Sequence, residues 1–207
     1  MTPSFVHGLD TAPLRFETIG QALDATAAKW ASHDALIVRH QAVHWNYGEF
    51  KERVDTLAAG FLALGLAPGD RIGIWAPNCS EWALTQFASA KAGLILVNLN
   101  PAYRAHELEF SLNKVGCRAL VIAERFKNVS FLEVLQSLAP ELEAYTANEL
   151  RAARLPQLRC VIRLGSELSP GCYNFNNVLD LGQPEDFSSC RRLKSSGCPR
   201  ISGACRS

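Results

Sequence analysis

Arg71-Ile72-Gly73-Ile74-Trp75, then Glu81 to Ala92 closed by Gly93, then Leu94-Ile95-Leu96-Val97-Asn98-Leu99, is the run of sequence on which the fold turns. A β-prone segment, a helix-length segment stopped by glycine and a second β-prone segment make one strand, helix, strand unit. The alternation continues downstream: Glu107 to Val115 reads as a helix stopped by Gly116, Arg118 to Ala123 as a strand, Phe131 to Leu138 as a helix before Pro140, and Cys160 to Leu164 as a last strand. Leu94 to Val97 and Ala119 to Ile122 lack polar alternation, the pattern of strands covered on both faces of a parallel sheet. The order predicts an open, doubly wound, mostly parallel α/β sheet with flanking helices.

Upstream, Thr18 and Gln21 have the spacing of a capping box that opens a helix running to Trp30. Ala35-Leu36-Ile37-Val38 and Val43-His44-Trp45 read as a hairpin around Arg39-His40-Gln41. Asn46 and Glu49 repeat the box at a second helix, whose Phe50, Val54, Leu57, Ala58, Phe61 and Leu64 form an apolar stripe ending at Gly65. Gly60, Gly65 and Gly69 read as helix ends and a turn, and Ser80 as the cap of the helix over 81–92.

Hydrophobic residues make up 48% of the 207-residue chain, and Lys+Arg 21 against Asp+Glu 20 leaves a formal net charge of +1. That apolar share argues against a disordered chain, and the charge provides no global field for nucleic acid or an acidic membrane. No apolar run approaches the roughly 20 residues of a membrane helix. The first seven residues carry no basic n-region and no long apolar stretch, so the expected location is cytoplasmic. The charge is unevenly placed. Arg191, Arg192, Lys194, Arg200 and Arg206 follow the last acidic residue, Asp186, and removing those five bases leaves 16 Lys+Arg against 20 Asp+Glu. Cys190, Cys198 and Cys205 crowd into the same stretch, without tight ligand pairs for zinc or aromatics for base stacking.

Candidate chemistry is sparse. There is no GxGxxG, GxxxxGK[ST] or GxSxG, and Ser195-Ser196-Gly197-Cys198-Pro199-Arg200 lacks the strand that a phosphate loop needs before it. His7, His33, His40, His44 and His106 read as surface or turn residues. Glu107 with Glu109, and Glu141 with Glu143, are two apart and point to different sides. Asp70 reads as a turn residue after Gly69, and so do Asn78, Asn98 and Asn100 near strand ends. Cys117 and Cys160 read as small core residues beside strands. The residue reading therefore assigns no catalytic, cofactor-binding or metal-binding residue.

Several segments nevertheless form an ordered set: Tyr47-Gly48-Glu49-Phe50, Leu57-Ala58-Ala59-Gly60-Phe61, Leu64-Gly65-Leu66-Ala67-Pro68-Gly69-Asp70-Arg71-Ile72, Pro77-Asn78-Cys79-Ser80-Glu81-Trp82, Lys91-Ala92-Gly93, Asn98-Leu99-Asn100-Pro101-Ala102-Tyr103 and Glu107-Leu108-Glu109. Together they resemble the amino-terminal part of the adenylate-forming (AMP-binding) acyl-CoA synthetases. The opening Met1 to Gly8, Arg154-Leu155-Pro156 and Pro170-Gly171 resemble in particular the fatty-acyl-CoA ligases of the acyl-CoA synthetase family member 2 type. The likeness covers residues 1–182.

The resemblance implies the amino-terminal part of a large adenylate-forming domain, incomplete as given. Residues 1–65 belong to an incomplete first α/β subdomain, 66–182 form a second, and 183–207 are a divergent Cys/Arg-rich tail expected to be disordered. It implies a two-step ligase in which a fatty-acid or other small carboxylate attacks the α-phosphate of ATP with Mg2+ present and releases pyrophosphate. Coenzyme A thiol then displaces AMP. The family's Ser/Thr/Gly-rich loop ending in Pro-Lys-Gly, its aromatic-x-Glu-Thr and Thr-Gly-Asp segments and its carboxy-terminal lysine have no counterpart in these 207 residues. No cofactor is therefore expected to bind productively, and the chain is expected to be inactive alone. The tail's loss of acidic residues and of periodicity reads as a frameshifted or truncated product, with the loop encoded downstream in a shifted frame. A non-catalytic short form acting as a binding or regulatory module is the alternative. Without later segments to cover them, Phe50, Val54 and Phe61 are expected to be exposed and prone to self-association.

Overall fold

The computed structural model describes residues 15–182; the expectations for the leader and for the Cys/Arg-rich tail lie outside the described residues. The chain runs α1 (Ile19–Trp30), β1 (Asp34–Val38), β2 (Val43–Asn46), α2 (Tyr47–Ala63), β3 (Arg71–Trp75), α3 (Ser80–Ala92), β4 (Ile95–Leu99), α4 (Ala105–Val115), β5 (Cys117–Ile122), β6 (Arg125–Phe126), β7 (Val129–Ser130), α5 (Phe131–Leu138), β8 (Cys160–Arg163), β9 (Tyr173–Asn174) and α6 (Phe175–Leu181). Local chemistry sets the ends. Both predicted capping boxes form, Thr18 with Gln21 and Asn46 with Glu49. Gly93 and Gly116 close α3 and α4 in the left-handed region.

The sheet has the order β4-β3-β5-β8-β9, every neighbouring pair parallel. After β3 the chain adds β4 on one side and then crosses to place β5 on the other, so the strand order reverses at β3. That reversal opens a crevice at the strands' carboxyl ends. Helices α1, α2, α3 and α6 pack together, with α3 against β3 and β4 and α6 against β8, while α4 packs against β5 and α5. Ala119, Leu120, Val121 and Ile122 of β5 are buried, as their unbroken apolar run predicts. Leu94 to Val97 were expected to be covered likewise, but β4 is an edge strand in which Ile95 is exposed and Leu96 and Val97 are half-buried. An apolar run alone does not distinguish a central strand from an edge.

The expected exposure of α2 is overturned. Phe50, Val54 and Phe61 are 5%, 0% and 0% exposed. Helix α3 covers part of this stripe, where the rings of Phe50 and Phe87 meet edge-on at 5.3 Å between centroids. Helix α6, which has no distinct signal in the sequence, covers another part, burying Phe175 and Val178. Gly60 permits this. It is not a helix end but lies inside α2, and a Cβ there would stand 2.0 Å from the carbonyl oxygen of Val178. Gly65 and Gly69 do take left-handed turn conformations.

Charge also binds this face. Lys91 on α3, with its side chain 4% exposed, pairs with Asp24 of α1 at 2.5 Å and with Asp55 of α2, and Lys51 pairs with Asp55 as well. The Lys91-Ala92-Gly93 segment thus supplies an ion bracket for three helices and then the glycine that ends one of them.

Candidate functional site

The crevice at the strand reversal is built on Trp75, the last residue of β3. Its indole is fully buried, stacks on Phe131 at 4.0 Å between centroids and donates from Nε1 to the carbonyl of Asn100 at 3.0 Å. This bond folds the segment after β4 over the end of β3. Asn100 Oδ1 accepts from the amide of Ala102 at 2.9 Å, an Asx turn that confirms Asn100 as a turn residue. Asn98, by contrast, lies within β4 and points to solvent.

On the other side, β6 and β7 form a small hairpin whose tip places Lys127 at φ 53°. Between these two segments is an open cleft of about 260 Å³, lined by Pro101, Ala102, Arg104, Phe126, Lys127 and Val129, with Asn128 at the hairpin tip. Arg104 and Lys127 are exposed, and neither forms an ion pair with a carboxylate among the described residues. Glu107, the acid nearest in sequence to Arg104, accepts from the Arg104 amide at 3.1 Å. Bonds from its own backbone amide and from that of Arg104 hold its carboxyl below the usual range. The sequence reading missed this cleft because its two cations belong to different loops.

The amino terminus of α3, the first helix after β3, is closed by the chain itself. Cys79, not Ser80, occupies the cap position, and its side chain makes no capping hydrogen bond of ordinary geometry. Gln41 from the β1–β2 turn takes over that role: its Oε1 accepts from the Ser80 amide at 2.6 Å, and its Nε2 donates to Glu81 Oε2 at 2.8 Å. Burial opposes ionisation of Glu81, but the bonds from Gln41, the Glu81 amide, Ser80 and Cys79 outweigh it and lower the carboxyl's pKa. Burial, reinforced by the charge of Glu81, pushes the Cys79 thiol up to about 11. A helix N-terminus that could cradle a phosphate is therefore already filled by protein groups.

At the end of β8, Arg163 donates to Ser169 Oγ and pairs with Glu124 at 3.4 Å and Glu167 at 2.8 Å, while its buried Nε has no partner. Its side chain is 10% exposed, whereas those of Glu124 and Glu167 are 56% and 68% exposed.

The remaining sequence candidates are apart from the crevice or structurally occupied. His33, His40, His44 and His106 are exposed, and His44 meets Asp34 at 2.7 Å. Asp70 accepts from the Ala67 amide in its turn. Glu109 is clasped by Arg154, and Glu141 accepts from the Ala153 amide. Cys117 and Cys160 are buried core thiols whose burial pushes them up to about 12, so they are protonated and unreactive at neutral pH. Among the described residues no group of three His, Cys, Asp or Glu side chains is placed to hold a metal ion. No described helix is long and apolar enough to cross a membrane.

Comparison with known proteins bears on what the crevice belongs to. The family model described as "AMP-binding enzyme" matches residues 23–179. The medium-chain acyl-CoA ligase ACSF2, mitochondrial, of Danio rerio is 39% identical over 94% of this chain and 32% of its own length. The protein of the same name from Homo sapiens is 42% identical over 86% of this chain and 29% of its own length. The chain therefore spans less than a third of these relatives. Among solved structures, the anthranilate CoA ligase AuaEII in complex with anthranoyl-AMP superposes with a TM-score of 0.69 at 19% identity, covering 84% of this chain and 29% of that one. A long-chain-fatty-acid-CoA ligase from Archaeoglobus fulgidus gives 0.67 at 21% identity, over 88% and 33%. These two show the same fold.

Proposed function

The chain belongs to the AMP-binding enzyme family, and from that premise we propose that it supplies the amino-terminal part of an ATP-dependent ligase joining a medium-chain fatty acid to coenzyme A. The observation that carries the reading is the continuity of about 40% identity with ligases of that name along nearly the whole of the described residues. ATP, Mg2+ and coenzyme A are the cofactors of the whole ligase. Residues 1–65 and 66–182 are contributions to two of its subdomains, and 183–207 is a divergent tail. The cytoplasmic expectation is not carried forward, because the vertebrate relatives are named as mitochondrial.

The 207 residues contain no Pro-Lys-Gly loop, and the amino terminus of α3 is filled by Gln41. The chain alone is accordingly expected to release no pyrophosphate from ATP in response to added fatty acid. Grafting residues 1–182 in place of the matching segment of the zebrafish relative tests the positive half of the reading. The chimera is expected to form AMP in a reaction dependent on medium-chain acid and coenzyme A. A folded chimera without that activity, or turnover by the 207-residue chain alone, would contradict the reading.

A further inference from the structure

We propose that α4 is a self-association face, through which two copies of this chain pair antiparallel about a two-fold axis at Phe110. The face is a single stripe. His106, Glu107, Phe110, Asn113 and Lys114 recur at the three- and four-residue spacing of one side of a helix and are all exposed, while Leu108 and Leu112 on the opposite side are buried. Phe110 is 64% exposed. Beside it lies an open groove of about 250 Å³, lined by Tyr103, His106, Glu107, Phe110 and Ser111. Self-association, expected from the sequence at Phe50, Val54 and Phe61, is thereby moved to an aromatic ring that stands in solvent.

A protruding ring beside a groove is complementary to the same arrangement turned round, and a two-fold interface meets its own surface in that way. The charges agree. Glu107 lies three residues before Phe110 and Lys114 four after it, so antiparallel pairing brings each Lys114 within one helical position of the partner's Glu107. Parallel pairing would set like charges against each other, which is disfavoured. Lys114 forms no ion pair among the described residues. Glu107 accepts from the Arg104 amide at 3.1 Å, and a carboxylate has lone pairs for further donors. The face is also held rigid: Arg154 clasps Glu109 at 2.5 Å on its flank, and Asn113 donates to the Arg154 carbonyl at 2.9 Å, so pairing costs little ordering. One helix against another buries less than a standard interface of about 1,600 Å², so the dimer is weak and dissociates in the micromolar range or above. The inference rests on the shape and charge of α4 and stands apart from the ligase reading.

The test is sedimentation velocity of the 207-residue chain with reductant present, from about 10 μM to about 1 mM. A concentration-dependent equilibrium between monomer and dimer is expected. Phe110→Ser, Glu107→Lys and Lys114→Glu are each expected to weaken the dimer about tenfold. Phe110 and Lys114 are exposed and take no part in the helix cap, so an unchanged thermal midpoint in those two variants verifies the fold. The decisive arm mixes the charge variants. Equimolar Glu107→Lys and Lys114→Glu chains again oppose unlike charges at both contacts, so together they are expected to dimerise within about threefold of the parent affinity, although neither pairs well with itself. The proposal is overturned if the chain stays monomeric to about 1 mM, if the three variants dimerise like the parent, or if the mixture associates no better than its components. A monomeric chain whose Lys114→Glu substitution abolishes activity of the grafted ligase would assign the face to later segments of that ligase instead of a second copy. Inactivity of the grafted ligase with the dimer intact would discredit the ligase reading alone.

Discussion

Lys91 and Arg163 are both long cations drawn nearly out of water, at 4% and 10% side-chain exposure, yet their partners sit in different surroundings. Lys91 is held between aspartates that are themselves mostly covered, Asp24 and Asp55, at the junction of α1, α2 and α3. Arg163 reaches outward to two glutamates standing largely in solvent. Removing one member of a covered pair strands the other charge, whereas exposed carboxylates are simply rehydrated. The first cluster holds the fold together; the second orders the loops after β5 and β8 at the carboxyl edge of the sheet.

The largest effect is expected from breaking the covered cluster. Lys91→Ala removes the buried cation between Asp24 and Asp55, although Lys51 still reaches both at 3.8 and 2.5 Å, and should cost about 3 kcal/mol, the lower end for a broken buried pair, read as the shift in urea midpoint; a loss below about 1 kcal/mol would show that water already reaches the bracket. Next is the backbone contact on the same face. Gly60→Ala places a methyl against the Val178 carbonyl and should cost about 1–3 kcal/mol, with hydrogen exchange rising first along α6. At the outward cluster, Arg163→Met should change stability by less than about 1 kcal/mol, because Glu124 and Glu167 remain in water. A cost like that of Lys91→Ala would erase the distinction.

The smallest and most local test concerns Gln41. Because the folded-state pKa of Glu81 is depressed, the ionised carboxylate's stabilisation is complete above the unfolded value, near 4.5, and is lost as pH falls through the lower folded one. Gln41→Ala removes the leading bond that favours ionisation, so the Glu81 titration followed by carboxyl NMR should move upward and the acid unfolding transition with it. A titration unchanged by the substitution would mean that the hairpin does not anchor the start of α3.

Most elements were legible in order and type, since capping boxes, glycine stops and apolar periodicity are signals local to the chain. β3 matches its sequence boundaries, Arg71 to Trp75, and α5 matches at Phe131 to Leu138. α6 and β9 escaped because seven and two residues carry too little periodicity to register. The cap of α3 escaped for another reason. Ser80 has the right chemistry one residue too late, while the side chain that does the capping is 39 residues away in sequence.

The sequence by itself determined the alternation of strand and helix, the parallel sheet, the core thiols at Cys117 and Cys160 and the family, because each depends on residues close together in the chain or on an ordered set of short motifs. Tertiary structure alone decided which apolar run became an edge, what covers Phe50, Val54 and Phe61, why Gly60 must lack a side chain, and that Arg104 and Lys127 face one cleft. Those outcomes depend on which distant segments meet, and contact across the sheet or between helices leaves no spacing in the sequence from which to read it.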